Sequence, residues 1–201
     1  HMPQLVYTAA ASLLTLTEEQ FACGMGEVIK HGLIMDAGYY EWLQEHREEI
    51  LARDLSICEQ MILISCRIKR DVVEQDPTEQ GIRGILNFGH TLGHAIEKLM
   101  DFKLLHGQCV ALGSIAAAYL SAGRGEITVD EAVQIRNVFE EFGLPVSIKE
   151  AVIAATKNDK KMDSGKIKFI LLHRIGEAFI DRTVTDEQME QSLDLLMGGA
   201  L

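Results

Sequence analysis

The sequence contains few residues that interrupt regular structure and no pattern typical of covalent cross-linking. Only three of the 201 residues are proline, and the four cysteines include no C-x-x-C pair. Cysteines in apolar sequence surroundings favour buried, reduced thiols over disulfide bridges or a zinc knot. We therefore predict a cytoplasmic protein and exclude a disulfide-stabilised secreted scaffold.

Basic residues are also scarce. The sequence has 19 lysines and arginines against 30 aspartates and glutamates, which gives a formal charge of −11. This charge argues against non-specific binding to nucleic acid or to an anionic membrane, so we expect neither partner. The stretch from Leu104 to Gly123 has no Asp, Glu, Lys or Arg, but His106 and internal glycines interrupt it. We interpret it as a buried helix and not as a membrane span.

The hydrophobic pattern predicts a mainly α-helical fold. Apolar residues make up 47% of the chain and recur at three- and four-residue spacing over most of its length. Capping-box sequences that begin at Thr17, Thr128 and Thr185 predict three helix starts. We expect a single multi-helix domain over residues 1–201.

Breaks in this pattern predict the remaining elements. Asp76-Pro77 should end a helix that starts near Asp54, because proline disfavours helical geometry in the residue before it. Further helices are expected over about 129–142 and 186–196, with a loop at 81–89. Residues 166–172 and 178–181 predict two strands of a small β-hairpin.

The residues that indicate chemistry are histidines and one glutamate. His90 and His94 lie four residues apart, on one face of a helix, and could share a metal ion. His106 could add a third nitrogen ligand. Glu27 is the best carboxylate candidate, because it lies in an otherwise apolar helix where an unpaired charge would be costly. Two histidines and one acid form a common catalytic zinc site.

Other interpretations of these residues stay open. A histidine pair at this spacing often occurs without a metal, and Glu27 could simply pair with Lys30. Thr91 stands where an H-E-x-x-H zinc protease needs its glutamate, which disfavours that class. Separate segments also supply basic side chains that could together bind phosphate or carboxylate, namely Lys30, Lys69, Arg83, Lys160 and Lys161.

Five motifs occur in order along most of the chain. They are G-M-G-E-V-I-K-H-G at 24–32, R-I-K-R-D-V-V-x-x-D at 67–76, R-G-I-L-N-F-G-H-T-L-G-H-A-I-E at 83–97, L-H-G-x-x-V-A-x-G at 105–113 and D-K-K-x-x-x-G at 159–165. This combination resembles the C-terminal domain of the 3-dehydroquinate synthase family.

The resemblance implies a role for each candidate residue. Glu27, His90 and His106 would be the ligands of a zinc or cobalt ion, and His94 would be catalytic, which corrects the pairing of His90 with His94 based on spacing. Lys30 and Asn87 would join His94 in catalysis. The substrate would be bound by Lys69, Arg83 and one of Lys160 and Lys161, with a slight preference for Lys161. His31 would be neighbouring packing.

The resemblance also implies an activity. Enzymes of this family use NAD and a metal to convert 3-deoxy-arabino-heptulosonate 7-phosphate to 3-dehydroquinate and phosphate in the shikimate pathway. NAD oxidises the C5 hydroxyl, phosphate leaves, the ketone is reduced again, and the ring opens and recloses.

The sequence contains no strand followed by a glycine-rich nucleotide loop. We therefore expect that the N-terminal NAD-binding domain of the family is absent, that this is the C-terminal domain of a longer homodimeric enzyme, and that the isolated domain is inactive.

Three other functions remain as alternatives. A sugar-phosphate cyclase of the deoxy-inosose synthase type would share the metal and histidine motifs, although Lys69 and Arg83 favour a substrate with a carboxylate. A metal-dependent polyol dehydrogenase domain is disfavoured by Glu27 together with Lys30. A non-catalytic helical interaction module would bind no stoichiometric metal.

Overall fold

Helices form most of the part of the chain that the computed structural model describes, residues 5–100, 104–147, 162–163 and 166–196. The α-helices are α1 (Glu18–Met35), α2 (Ala37–Glu45), α3 (Arg47–Leu51), α4 (Leu55–Gln75), α5 (His90–Leu99), α6 (His106–Gly123), α7 (Val129–Glu141) and α8 (Asp186–Leu196). Two 3-10 helices span Ala10–Thr15 and Ile82–Asn87. The predicted mainly helical fold is confirmed.

Helix α6 lies at the centre of this fold. Nearly all of its residues from Gly107 to Ser121 are buried, and it contacts α1, α5, α7 and α8. The prediction of a buried helix between Leu104 and Gly123 is therefore confirmed. Among the described helices, none combines the length and the apolar character that crossing a membrane requires.

The predicted helix boundaries are also found. At Thr17, Thr128 and Thr185, the hydroxyl accepts a hydrogen bond from the backbone N–H three residues later, and the side chain of that residue accepts one from the threonine N–H. These reciprocal bonds satisfy N–H groups that the start of a helix leaves without partners. Helix α4 ends at Gln75, two residues before Pro77.

The predicted hairpin is confirmed, but its first strand begins later than expected. Strands β3 (Phe169–Arg174) and β4 (Glu177–Asp181) pair antiparallel, but residues 166–167 do not belong to β3. They form β2 (Lys166–Ile167), which pairs with β1 (Met162–Asp163) in a separate two-stranded sheet. The predicted loop at 81–89 also contains the second 3-10 helix.

The cysteines follow the prediction only in part. All four are free thiols; Cys58 and Cys109 are buried, and Cys23 is partly buried. Cys66 is exposed, so the expectation of four buried thiols is wrong for it. Its neighbours Ser65 and Ile68 are the residues of this turn of α4 that pack inward.

Two glycines allow α1 and α6 to touch through their backbones. A Cβ atom on Gly107 would lie 1.9 Å from the carbonyl oxygen of Cys23, and one on Gly26 would lie 2.6 Å from the carbonyl oxygen of Gly107. Real Cβ atoms do not approach so closely. Since Glu27 follows Gly26 and His106 precedes Gly107, this crossing brings the carboxylate and the imidazole together.

Candidate metal centre and substrate cleft

One cleft gathers half of the predicted site residues. It has a volume of about 380 Å³, and α1 contributes Glu27, Lys30 and His31 to its lining. Lys69 comes from α4, while His90 and His106 are the first residues of α5 and α6. Residues far apart in sequence therefore meet at one site.

Glu27, His90 and His106 have the geometry of a metal site. The Oε1 atom of Glu27 lies 3.6 Å from Nε2 of His90 and 3.6 Å from Nε2 of His106. One ligand atom from each residue lies within 4.8 Å of the other two. Two ligands that are each about 2.0 to 2.1 Å from a tetrahedral zinc ion lie about 3.4 Å apart, so these residues fit such an ion with small adjustments.

The ring of His90 is oriented by the backbone. Its Nδ1 lies 3.1 Å from the carbonyl oxygen of Phe88; a carbonyl can only accept, so Nδ1 carries the proton and Nε2 presents a lone pair to Glu27. Burial lowers the pKa of His90 to about 4, and the nearby charge of Lys30 acts in the same direction. His90 is therefore in its neutral, metal-binding form at pH 7.

Gly89 sets the position at which α5 begins. Its φ of 77° lies in the left-handed region, which L side chains rarely adopt. A Cβ atom there would also lie 2.3 Å from Oγ of Ser114 in α6. Helix α5 therefore begins, with His90, in close contact with α6.

Lys30 is a buried cation with two partners. Its side chain is 3% exposed, and its Nζ donates to Oε2 of Glu27 at 2.5 Å and to the carbonyl oxygen of Leu86 at 2.8 Å. Burial lowers the pKa of Lys30, although Glu27 opposes the shift. Burial alone would raise the pKa of Glu27, but Lys30 and His90 outweigh it, and the net shift is downward. The ion pair with Lys30 occupies one carboxylate oxygen, and the other faces the histidines.

His94 lies beside this cluster. Its ring centroid is 5.3 Å from that of His90 and 5.9 Å from that of His106. One ligand atom each of Glu27, His90 and His106 forms one cluster, and ligand atoms of His94, Glu97 and His106 form a second. The structure thus brings together the three residues that the family resemblance implies as ligands.

Arg83 and Asn87 lie on the second 3-10 helix and do not line the cleft. Arg83 donates to the carbonyl oxygen of Pro77 at 2.9 Å, and Asn87 donates to Oε1 of Glu79 at 3.0 Å. Lys30 contacts the same 3-10 helix through the Leu86 carbonyl. Lys160 and Lys161 fall outside the described residues.

Two features of the site were not predicted from the sequence. Glu97 has Oε1 3.6 Å from Nδ1 of His106, and its position three residues after His94 on the same helix would have indicated it. Ser65 lies 2.5 Å from Nδ1 of the buried His31, whose pKa burial lowers to about 4. This pairing agrees with the packing role expected for His31.

The sequence comparisons identify relatives over the whole chain. A family model described as 3-dehydroquinate synthase C-terminal matches residues 24–162. The 3-dehydroquinate synthase of Nitrosomonas europaea is 41% identical over 100% of this chain and 56% of its own length. That of Neisseria gonorrhoeae is 38% identical over 96% of this chain and 55% of its own. The chain thus spans about half the length of the curated relatives it matches.

Solved structures share the fold. The enzyme 2-epi-5-epi-valiolone synthase from Streptomyces hygroscopicus subsp. jinggangensis, with NAD+ and Zn2+ bound, superposes with a TM-score of 0.85 at 23% identity, over 93% of this chain and 54% of its own. A 2-deoxy-scyllo-inosose synthase complexed with carbaglucose-6-phosphate, NAD+ and Co2+ superposes with a TM-score of 0.74 at 20% identity, over 92% of this chain and 54% of its own. Together with the sequence matches, these findings show that the chain belongs to the 3-dehydroquinate synthase family and contains its C-terminal domain.

Proposed function

We propose that this chain is the metal- and substrate-binding half of a longer 3-dehydroquinate synthase. The whole enzyme would be a cytoplasmic lyase that converts 3-deoxy-arabino-heptulosonate 7-phosphate to 3-dehydroquinate and phosphate. The convergence of Glu27, His90 and His106 carries this proposal. Relatives named 3-dehydroquinate synthase are 38% to 41% identical, against 20% to 23% for the two other cyclases, which favours this reaction over theirs.

Glu27, His90 and His106 would hold one zinc or cobalt ion. Such an ion supplies Lewis-acid polarisation of substrate hydroxyl oxygens and fixes their orientation. We place the NAD site, and the contacts of a homodimer, in the remainder of the longer protein, because the chain covers about half of its relatives.

Basic residues around the cleft would bind the anionic substrate. Lys69 is exposed and lines the cleft, so its ammonium can meet a phosphate or carboxylate directly. Lys30 would add a cation next to the metal centre, and His94 would hold or move a proton at a substrate hydroxyl. The remaining substrate contacts are assigned to Arg83, Asn87 and one of Lys160 and Lys161.

Metal content of the 201-residue chain tests the proposal. After zinc loading and removal of loosely bound metal, we expect about one zinc per chain, and we expect Glu27→Gln and His90→Ala to lose it. Glu59→Ala, which removes an exposed carboxylate of α4, is the matched control and should keep the zinc. Zinc retained by both site variants would contradict the proposal.

Activity is tested in the full-length protein. With NAD and zinc it should release phosphate from 3-deoxy-arabino-heptulosonate 7-phosphate, whereas the isolated chain should not. Comparable turnover by the isolated chain would show that the division of the site between two halves is wrong.

A further inference from the structure

The ring of His106 lies between two carboxylates. Its Nε2 is 3.6 Å from Oε1 of Glu27, and its Nδ1 is 3.6 Å from Oε1 of Glu97. Glu97 is the eighth residue of α5, and its side chain is only 20% exposed. The metal-centre role proposed above gives Glu27 a function, but it does not explain why a second acid is held against the opposite side of the same imidazole.

The two histidines of the cluster differ in how their outer nitrogen is held. Nδ1 of His90 is fixed by the Phe88 carbonyl, and the His90 side chain is 13% exposed. His106 is the first residue of its helix and is 46% exposed. An exposed ring at a helix start can rotate unless its second nitrogen has a partner, and Glu97 is the group that faces that nitrogen.

We propose that Glu97 is a positioning residue for the metal centre. Its carboxylate accepts a hydrogen bond from the Nδ1–H group of His106, which keeps the proton on Nδ1 and directs the Nε2 lone pair at the ion shared with Glu27 and His90. Metal-bound histidines generally donate their other ring N–H to such an acceptor, which raises their basicity. A separation of 3.6 Å exceeds hydrogen-bond length, and a small rotation of the half-exposed ring closes it. This inference rests on the proposed metal-binding function.

A second ion is the main competing explanation. His94, Glu97 and His106 each offer a ligand atom within 4.8 Å of the others. However, His106 can bind one ion through Nε2 and another through Nδ1 only after both ring protons are lost, whereas neutral imidazole always keeps one. A single ion, with Glu97 as the acceptor, needs no such deprotonation.

Cobalt titration of the metal-free chain tests the inference. Visible absorption reports the ligand geometry, and equilibrium dialysis gives affinity and stoichiometry. We expect one cobalt per wild-type chain, and a loss of affinity of about 10- to 100-fold in Glu97→Ala with the stoichiometry unchanged. Glu97→Gln keeps an acceptor oxygen and should recover part of that loss. Glu59→Ala should match the wild type, and circular dichroism of the metal-free proteins verifies that each variant is folded.

The possible outcomes separate this inference from the proposed function. Unchanged cobalt affinity in Glu97→Ala, or two cobalt ions falling to one in that variant, would overturn the positioning role. Cobalt binding that persists in Glu27→Gln would instead contradict the proposed metal centre. A wild-type chain that binds no cobalt would overturn both.

Discussion

The Glu27 carboxylate pairs with the Lys30 ammonium and also faces the two histidines of the metal centre. A substitution at Glu27 therefore changes both contacts. Lys30 is 3% exposed, and Glu27 is its only carboxylate partner among the described ion pairs. Removing one partner of a buried ion pair leaves an uncompensated charge, typically at a cost of about 3–5 kcal/mol. Glu27→Ala would therefore lose stability as well as metal. Glu27→Gln also removes the charge but keeps a hydrogen-bond acceptor for Lys30, so it should lose less stability and is the better variant for testing the metal ligand.

His31 should make the stability of the metal-free protein depend on pH. Its pKa falls from 6.5 to about 4 in the folded state, chiefly through burial. Between these pKa values, His31 binds more protons in the unfolded chain than in the folded one. Its contribution to the free energy of unfolding is therefore fully present above pH 6.5 and declines as the pH falls toward 4. The loss should reach about 3 kcal/mol for this residue. Urea unfolding of the metal-free chain at pH 7.5 and at about pH 4.5 measures it.

The matched variant for this prediction is His31→Gln, whose amide can still hydrogen-bond to Ser65. It should flatten the pH dependence by about half, because the pKa of His90 is lowered to about 4 as well and this second shift remains. A variant with the same pH dependence as the wild type would contradict the assignment of the shift to His31.

At the scale of elements, the crossing of α1 and α6 should be intolerant of any side chain. In Gly107→Ala, the new Cβ atom would meet the Cys23 carbonyl at 1.9 Å, and backbone on both sides leaves no flexible group to yield. We expect a loss of about 3 kcal/mol or more. The shift of α6 should also weaken zinc binding, because His106 would move away from Glu27. Chemical denaturation and zinc titration measure the two effects.

Gly123→Ala is the control on the same helix. No atom lies within 4 Å of a Cβ built at Gly123, so the substitution should leave stability unchanged or raise it by up to about 1 kcal/mol. Equal losses in the two variants would show that the crossing is not the cause.

The segment between α4 and α5 should depend on one carboxylate. Asp76 accepts hydrogen bonds from the backbone N–H groups of Gln80, Gly81 and Arg83, and these lower its pKa. The contribution of the Asp76 carboxylate to stability is therefore present above its ordinary pKa of 3.8, and it is lost as the pH falls through the lowered pKa. In Asp76→Asn, we expect these three amides to exchange about tenfold faster with deuterium.

Asp71→Asn is the control for this segment, since the Asp71 carboxylate pairs with the exposed Arg70 of its own helix. Its amide exchange in the segment should equal that of the wild type. If Asp76→Asn also left exchange unchanged, the 3-10 helix that carries Arg83 and Asn87 would be held by other contacts.

Motifs within a few residues of one another predicted most helices and strands correctly. They did not predict the close contacts between separate elements. The capping boxes at Thr17 and Thr128 involve neighbours three residues away, so the sequence shows them directly. The break between Ile167 and Phe169 depends on pairing with another short strand, which no alternation pattern indicates. The pairing of Glu97 with His106 and the contact at Gly107 require two elements to be placed together.

At the scale of the molecule, the site joins helices that are separate in sequence. Glu27, His90 and His106 come from α1, α5 and α6, which pack as neighbours. An ion bound to all three is therefore a cross-link that exists only in the folded state. The protein carries a formal charge of −11, so a divalent cation also reduces the self-repulsion of the folded chain.

Zinc should therefore raise the melting temperature of the whole domain. A ligand that binds only the folded state at about 100 times its Kd stabilises it by about 2.7 kcal/mol. In a domain of roughly 150 to 250 residues, each kcal/mol shifts Tm by about 2 to 4 °C, so we expect an increase of about 5 to 10 °C by scanning calorimetry. Calcium at the same concentration should have little effect, because two imidazole nitrogens suit zinc and not calcium. His106→Ala should abolish the zinc effect, and an equal shift from calcium would show that charge screening, not coordination, is responsible.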